Sequence, residues 1–134
     1  MSDNWEDVDV PRGSYISWGE VGQTVTIEVV SYSATAGSGY KDEQVPEVVG
    51  ILQLDCINYR KGVKETLSKG EFVTITCSQA NINKAVRAAA LEPGNLVRIT
   101  FEDTYETPKG DGKAFKVQVN RNHATTKPSA GELV

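Results

Sequence analysis

Between Gln23 and Tyr32 the chain sets Val25, Ile27 and Val29 against Thr24, Thr26 and Glu28, the two-residue period of a strand with one dry face. Val30 and Tyr32 then carry the apolar positions in the opposite phase, so a bulge is expected near Val29 and Val30. Four more segments alternate in the same way. The second spans Val48 to Tyr59, with Val49, Ile51 and Gln53 facing one way and Leu52, Leu54 and Cys56 the other. The third, Phe72 to Ser78, sets Val73, Ile75 and Cys77 inward and leaves Phe72 on the outer side. The fourth, Leu96 to Thr104, alternates Val97, Ile99 and Phe101 with Arg98, Thr100 and Glu102. The fifth, Ala114 to Arg121, alternates Phe115, Val117 and Val119 with Lys116, Gln118 and Asn120.

Once the period changes. Ile82, Ala85, Val86 and Ala89 recur at helical spacing, with Asn81, Lys84 and Arg87 on the opposite face. Ser78 or Asn81 is suited to cap this helix, and Pro93-Gly94 supplies a stop. The order is therefore β-β-β-α-β-β. One short helix cannot cover an open sheet of five half-apolar strands, so closing the sheet on itself is the economical solution. An all-β chain with a helix between strands three and four has the order of a five-stranded OB-fold barrel. Small barrels of SH3 type are the competing architecture, and they seldom place a full helix there.

The 134 residues fit one domain with a core of its own. Residues 1–13 lack a period and form an expected flexible acidic arm, residues 14–121 the domain, and residues 122–134 an expected frayed tail. Residues 33–47, with Gly37, Gly39 and Pro46, are expected as a long loop, and Arg60–Glu71 as a turn-rich basic connection. Trp18 is expected to plug one barrel end, whereas Trp5 has no core to join and suits a partner or neighbouring subunit. Cys56 and Cys77 each lie in an apolar run, which favours buried reduced thiols. No apolar run approaches the ~20 residues needed to cross a bilayer, so no membrane is expected. The acidic, polar start (Ser2 to Asp9) is the opposite of a signal peptide, and a cytoplasmic location is the expectation.

Enzyme signatures are nearly absent. The single histidine, His123, falls in the tail, so no nucleophile–base arrangement has a seat. The cysteines lack metal-ligand spacing, and Glu102, Asp103 and Asp55 read as solvated loop charges. Gly110-Asp111-Gly112-Lys113 is followed by Ala114 and a strand, where a phosphate loop needs Ser or Thr and a helix; a hairpin turn is expected. No catalytic residue, metal or cofactor is assigned.

Binding features are more telling. A net charge of −4 and a pI near 5.0 argue against coating duplex DNA by bulk charge. A local basic groove with stacking aromatics still suits a single strand. Three aromatic–basic clusters fall in expected connections: Tyr40-Lys41, then Tyr59-Arg60-Lys61 with Lys64, then Tyr105 with Lys109 and Lys113. In an OB-fold these connections flank one face, which Phe72, Arg98 and Lys116 would line. Exposed tyrosines and lysines are also ordinary on loops, and a Lys-rich hairpin commonly protects a sheet edge.

A resemblance points the same way. Ser17-Trp18-Gly19 through Gly22-Gln23-Thr24-Val25, Tyr59-Arg60-Lys61-Gly62, Gln79-Ala80-Asn81 with Lys84–Ala89, and Pro93–Ile99 resemble a family of small proteins encoded by actinobacterial phages. Those proteins look like OB-fold single-stranded DNA-binding proteins, and the similarity covers about residues 15 to 121. It implies a non-catalytic single-stranded DNA binder supporting phage DNA replication or recombination in the host cytoplasm. Bacterial single-strand binders commonly end in an acidic tail tipped by phenylalanine; this chain ends Gly131-Glu132-Leu133-Val134. The acidic arm with Trp5 is the alternative seat for a protein partner. Assembly into a homo-oligomer is open. The competing function is a protein–protein adaptor or host-defence antagonist on the same scaffold.

Overall fold

The computed structural model describes residues 13–38, 43–108 and 110–121. The elements are β1 (Ser14–Tyr15), β2 (Thr24–Ser38), β3 (Gln44–Leu52), β4 (Cys56–Arg60), β5 (Val63–Leu67), β6 (Phe72–Thr76), α1 (Ala80–Ala89), β7 (Leu96–Thr107) and β8 (Gly110–Asn120). Six strands form one sheet in the order β1-β6-β3-β2-β7-β8, while β4 and β5 pair only with each other. The sheet curls into a half-barrel, giving an all-β, barrel-like fold with one short helix. All its pairings are antiparallel except β1 with β6. No helix among the described residues is long and apolar enough to cross a membrane.

The period-two segments bury the faces their patterns name. Val25, Ile27, Val29, Val73, Ile75, Val97, Ile99 and Phe101 join one core, with Ile82 and Val86 of α1 set into it. Full burial of each such side chain contributes ~1.5–3 kcal/mol, so the helix face is fixed mainly by packing. The bulge expected near Val29 and Val30 is present as a shift in the β2–β3 register between Val29 and Ser31. Trp18 packs edge-on against Phe115, centroids 5.1 Å apart at 65°, at the rim of the core. Both cysteines are free and buried.

Three expectations need correction. The long loop of residues 33–47 is largely strand, because β2 runs on to Ser38 and β3 begins at Gln44. Ser33 Oγ accepts the amides of Thr35 and Ala36, and the register slips again between Ser33 and Gly37. That local turn among small residues erases the alternation a sequence reading relies on. The strand expected from Val48 to Tyr59 divides at Gln53–Asp55. Its second half, β4, leaves the sheet and pairs with β5, which occupies part of the expected basic connection. Finally, neither Ser78 nor Asn81 caps α1. Gln79 is the N-cap residue without a side-chain bond, and Asn81 Oδ1 instead accepts the Phe115 amide at 2.6 Å. The helix start is thereby spent on tying down β8, an edge strand of the half-barrel.

Candidate functional site

The β4–β5 hairpin is turned by Lys61 and Gly62, whose φ angles of 52° and 80° are both left-handed. Two such residues between paired Arg60 and Val63 match the right-handed twist of the strands, and glycine takes the second without strain. The hairpin is bolted to the sheet through Asn58, which is 1% exposed. Its Oδ1 accepts the Ser17 amide at 2.8 Å, and its Nδ2 donates to the Tyr15 carbonyl at 3.1 Å and to Glu65 Oε2 at 3.2 Å. One buried amide thus satisfies groups on β1, on the segment after it and on β5.

Between β1 and this hairpin lies a cleft of about 400 Å³ lined by Ser14, Tyr15, Ser17, Tyr59, Arg60 and Lys61, with Gly13 and Asn58. Tyr15 is 54% exposed. Tyr59 lies against Gly19, and its hydroxyl donates to Glu20 Oε1 at 2.9 Å. That bond, with some desolvation, holds the phenol above its ordinary pKa. Glu20 also approaches Lys64 at 3.9 Å, and Arg60 lies 3.5 Å from Glu65. Such exposed pairs contribute ~0–1 kcal/mol, so an incoming phosphate can compete for either cation. No carboxylate among the described residues pairs with Lys61.

The other expected residues are spread more widely. Phe72 stands on the outer face of β6, next to the cleft, where its carbonyl packs against Gly13. Lys113 sits 5.9 Å over the Phe101 ring and lines a second recess with Ser17, Trp18, Ser38 and Thr76. The two recesses meet at Ser17. Arg98 donates to Thr26 Oγ1 at 3.2 Å and lines a separate recess with Leu96, Gln118 and Asn120. Lys116, opposite Thr100, belongs to that same outer face of β7 and β8. Across the sheet the row Phe72–Ile51–Glu28–Leu96 puts Glu28 between the two regions. Tyr105 is 46% exposed, far along the β7–β8 hairpin, with its ring over Gly112. Tyr40, Lys41 and Lys109 lie outside the described residues.

The structure therefore brings Tyr59, Arg60 and Lys61 together, with Lys64 and Phe72 adjoining. Tyr15 and Asn58 escape sequence reasoning: a two-residue strand has no period, and a lone asparagine between Ile57 and Tyr59 looks like a surface position. No cluster of His, Cys, Asp or Glu among the described residues is arranged to hold a metal. Asp55 and Asp103 each accept a backbone amide, from Lys69 and Thr104. Comparison with protein-family models, curated proteins and solved structures yields no match.

Proposed function

We propose that this chain is a non-catalytic single-stranded DNA-binding protein with an OB-fold, serving phage DNA replication or recombination. The connectivity supports the fold reading. β2 pairs with both β3 and β7, β3 with β6, β7 with β8, and the helix joins β6 to β7, as in an OB barrel carrying an extra hairpin between its second and third strands. The observation that carries the function is the cleft itself, where two tyrosines and two cations line one concave strip. Bases stack on Tyr59 and Tyr15 while Arg60, Lys61 and Lys64 meet the phosphates. Each stack contributes ~1–3 kcal/mol with little sequence preference.

Fluorescence anisotropy of labelled oligo-dT across a salt series is the direct test, with a duplex of equal length beside it. Binding of the single strand that weakens steeply with salt is the expected result. No binding at low salt, or equal affinity for duplex, overturns the proposal. One observation favours a protein–protein adaptor or host-defence antagonist instead: Glu20 and Glu65 already hold Lys64 and Arg60. A stable partner retained after nuclease treatment, with no affinity for oligo-dT, selects that reading.

A further inference from the structure

The six-stranded sheet ends at β1 on one side and at β8 on the other. Its curl brings the two ends together, and the contact of Trp18, just after β1, with Phe115 of β8 bridges them. Beside that contact lies the second recess, of about 410 Å³. Ile16 and Trp18 wall it from the β1 side and Lys113 from the β8 side. Thr76 and Ser78, two positions apart at the end of β6, add hydroxyls, and Ser38 adds a third. A Cβ at Gly37 would crowd Thr76 Cγ2 at 3.0 Å, so glycine lets the far end of β2 settle closely on the end of β6.

Lys113 is the charge of this recess. Its ammonium lies over the Phe101 ring, and no carboxylate among the described residues pairs with it. Such a ring contact contributes ~0.5–1 kcal/mol and leaves the positive charge uncompensated. The chain carries 18 acidic residues against 14 basic ones, yet no Asp or Glu is among the described residues that line the cleft or the recess. Arg60, Lys61 and Lys113 share the two hollows, and of these only Arg60 has an acidic partner, Glu65. The exposed Ser17 lines both hollows. Asn58 holds it through the backbone amide, so its side chain is no part of that clamp. Trp18 is partly buried: it packs against Phe115 and still lines the recess, so some of its ring is accessible.

We propose that cleft and recess are one track, along which a single DNA strand passes from Tyr59, Arg60 and Lys61 over Ser17 to Lys113. Trp18 meets a base at the far end, while Lys113 and the hydroxyls of Ser38, Thr76 and Ser78 meet phosphates. An ammonium, hydroxyl donors and an indole without a carboxylate complement a chain that alternates anionic phosphates with flat bases. The inference rests on the single-strand function proposed above and extends it from the hairpin to the seam between β1 and β8.

Trp18 is read alone in a Trp5→Phe variant, since the chain has two tryptophans and Trp5 lies outside the described residues. Labelled oligo-dT of about twelve nucleotides is titrated with this variant, following anisotropy and Trp18 emission together. Quenching of Trp18 with the midpoint that anisotropy gives is the expected result. Lys113→Gln keeps a stem over Phe101 but removes the charge. It should lower the salt slope by ~0.7, which weakens binding about fivefold at ~0.1 M salt. Ser17→Glu sets a carboxylate where the hollows join. It should weaken binding at least as much and remove the quenching of Trp18, with an unchanged unfolding midpoint in urea. Binding by anisotropy with unchanged Trp18 emission, or with unchanged affinity and slope in Lys113→Gln, confines the strand to the hairpin and overturns the track. Unaltered binding by Ser17→Glu, or Trp18 quenching that persists in it, overturns the crossing at Ser17. No binding of oligo-dT at any salt removes the single-strand reading itself, and the track with it.

Discussion

The ring of Tyr59 rests on Gly19 so closely that a Cβ at position 19 would lie 2.6 Å from two of its carbons. Any side chain there lifts the ring from its seat, and Glu20, next along the chain, loses its alignment with the phenol. Gly19→Ala is therefore expected to mimic Tyr59→Ala in oligo-dT anisotropy, approaching the ~1–3 kcal/mol of one lost base stack. Urea denaturation should show a smaller fold stability for Gly19→Ala, by ~1–3 kcal/mol of overpacking. A normal affinity in Gly19→Ala would mean that ring orientation at Tyr59 is immaterial.

The phenol of Tyr59 gives a spectroscopic handle on the same seat. Its bond to the Glu20 carboxylate, then partial desolvation, raise its pKa above the ordinary value of 10.0. The raised value favours the protonated form, so this contribution is complete below the ordinary phenol range and lost as pH climbs through the raised pKa. Ultraviolet titration at the phenolate band should show one tyrosine ionising late, identified by its disappearance in Tyr59→Phe. Glu20→Ala should return that transition to the ordinary range. An unchanged titration in Glu20→Ala would show that the carboxylate does not hold the phenol.

Asn58 is the residue on which the cleft's geometry depends most. Its replacement by alanine leaves the Ser17 amide and the Tyr15 carbonyl without their partner, and each unsatisfied buried group costs ~1–3 kcal/mol. The midpoint of chemical unfolding should fall accordingly. Beyond stability, β1 would no longer be clamped to β4, so hydrogen exchange of the Ser17 amide should accelerate at temperatures where the remaining sheet is intact. Equal acceleration across all strands would assign Asn58 to global stability alone.

What the sequence made legible was whatever repeats. The core faces of β2, β6, β7 and β8 follow a period of two, and Ile82 and Val86 a period near four, because burial selects apolar residues position by position. The bulge at Val30 was legible as a break in phase. Features set by single side chains were not. Ser33 turns the chain through two backbone bonds, and no pattern of apolar residues records it. The departure of β4 from the sheet is equally silent, since Cys56 and Asn58 are buried there as they would be in a continuous strand. The basic character of Tyr59-Arg60-Lys61 was plain in the sequence. The part Glu20 plays in balancing it was not, because Glu20 lies about forty positions from Tyr59 along the chain.

The buried thiols test the interior. Burial, with the nearby Glu71 and Asp55 carboxylates, lifts Cys56 to about 11; burial and Glu47 lift Cys77 to about 12, against a lowering by Arg87. At pH 8 the thiolate fraction of Cys56 is then ~0.001, and that of Cys77 smaller still. Native protein should react with a disulfide reagent only as fast as it opens, and release two thiols per chain once unfolded in urea. Because the raised values favour neutral thiols, this stabilisation is present below the ordinary thiol pKa and fades as pH rises toward 11 and beyond. Rapid labelling of either cysteine at pH 8 in folded protein would contradict the packing of β4 or of the segment after β6.

The cations of the hairpin differ in what they have to surrender, and the salt dependence of binding should reveal it. Among the described residues Lys61 has no carboxylate to leave when it meets a phosphate, so its removal should lower the slope of log affinity against log salt by the full single-strand increment of ~0.7. Arg60 must leave Glu65, which then gathers a counterion of its own and offsets the one released from the strand. Arg60→Ala should therefore weaken binding while changing the slope by much less. Removing the competitor restores the difference: in a Glu65→Gln background, Arg60→Ala should shift the slope as Lys61→Ala does. Glu65 also accepts from Asn58, so the glutamine, which keeps an oxygen for that bond, is the suitable replacement. Equal slopes for the two single variants would place Arg60 on phosphate without any part for Glu65. Unchanged slopes for both would remove the hairpin from the interface.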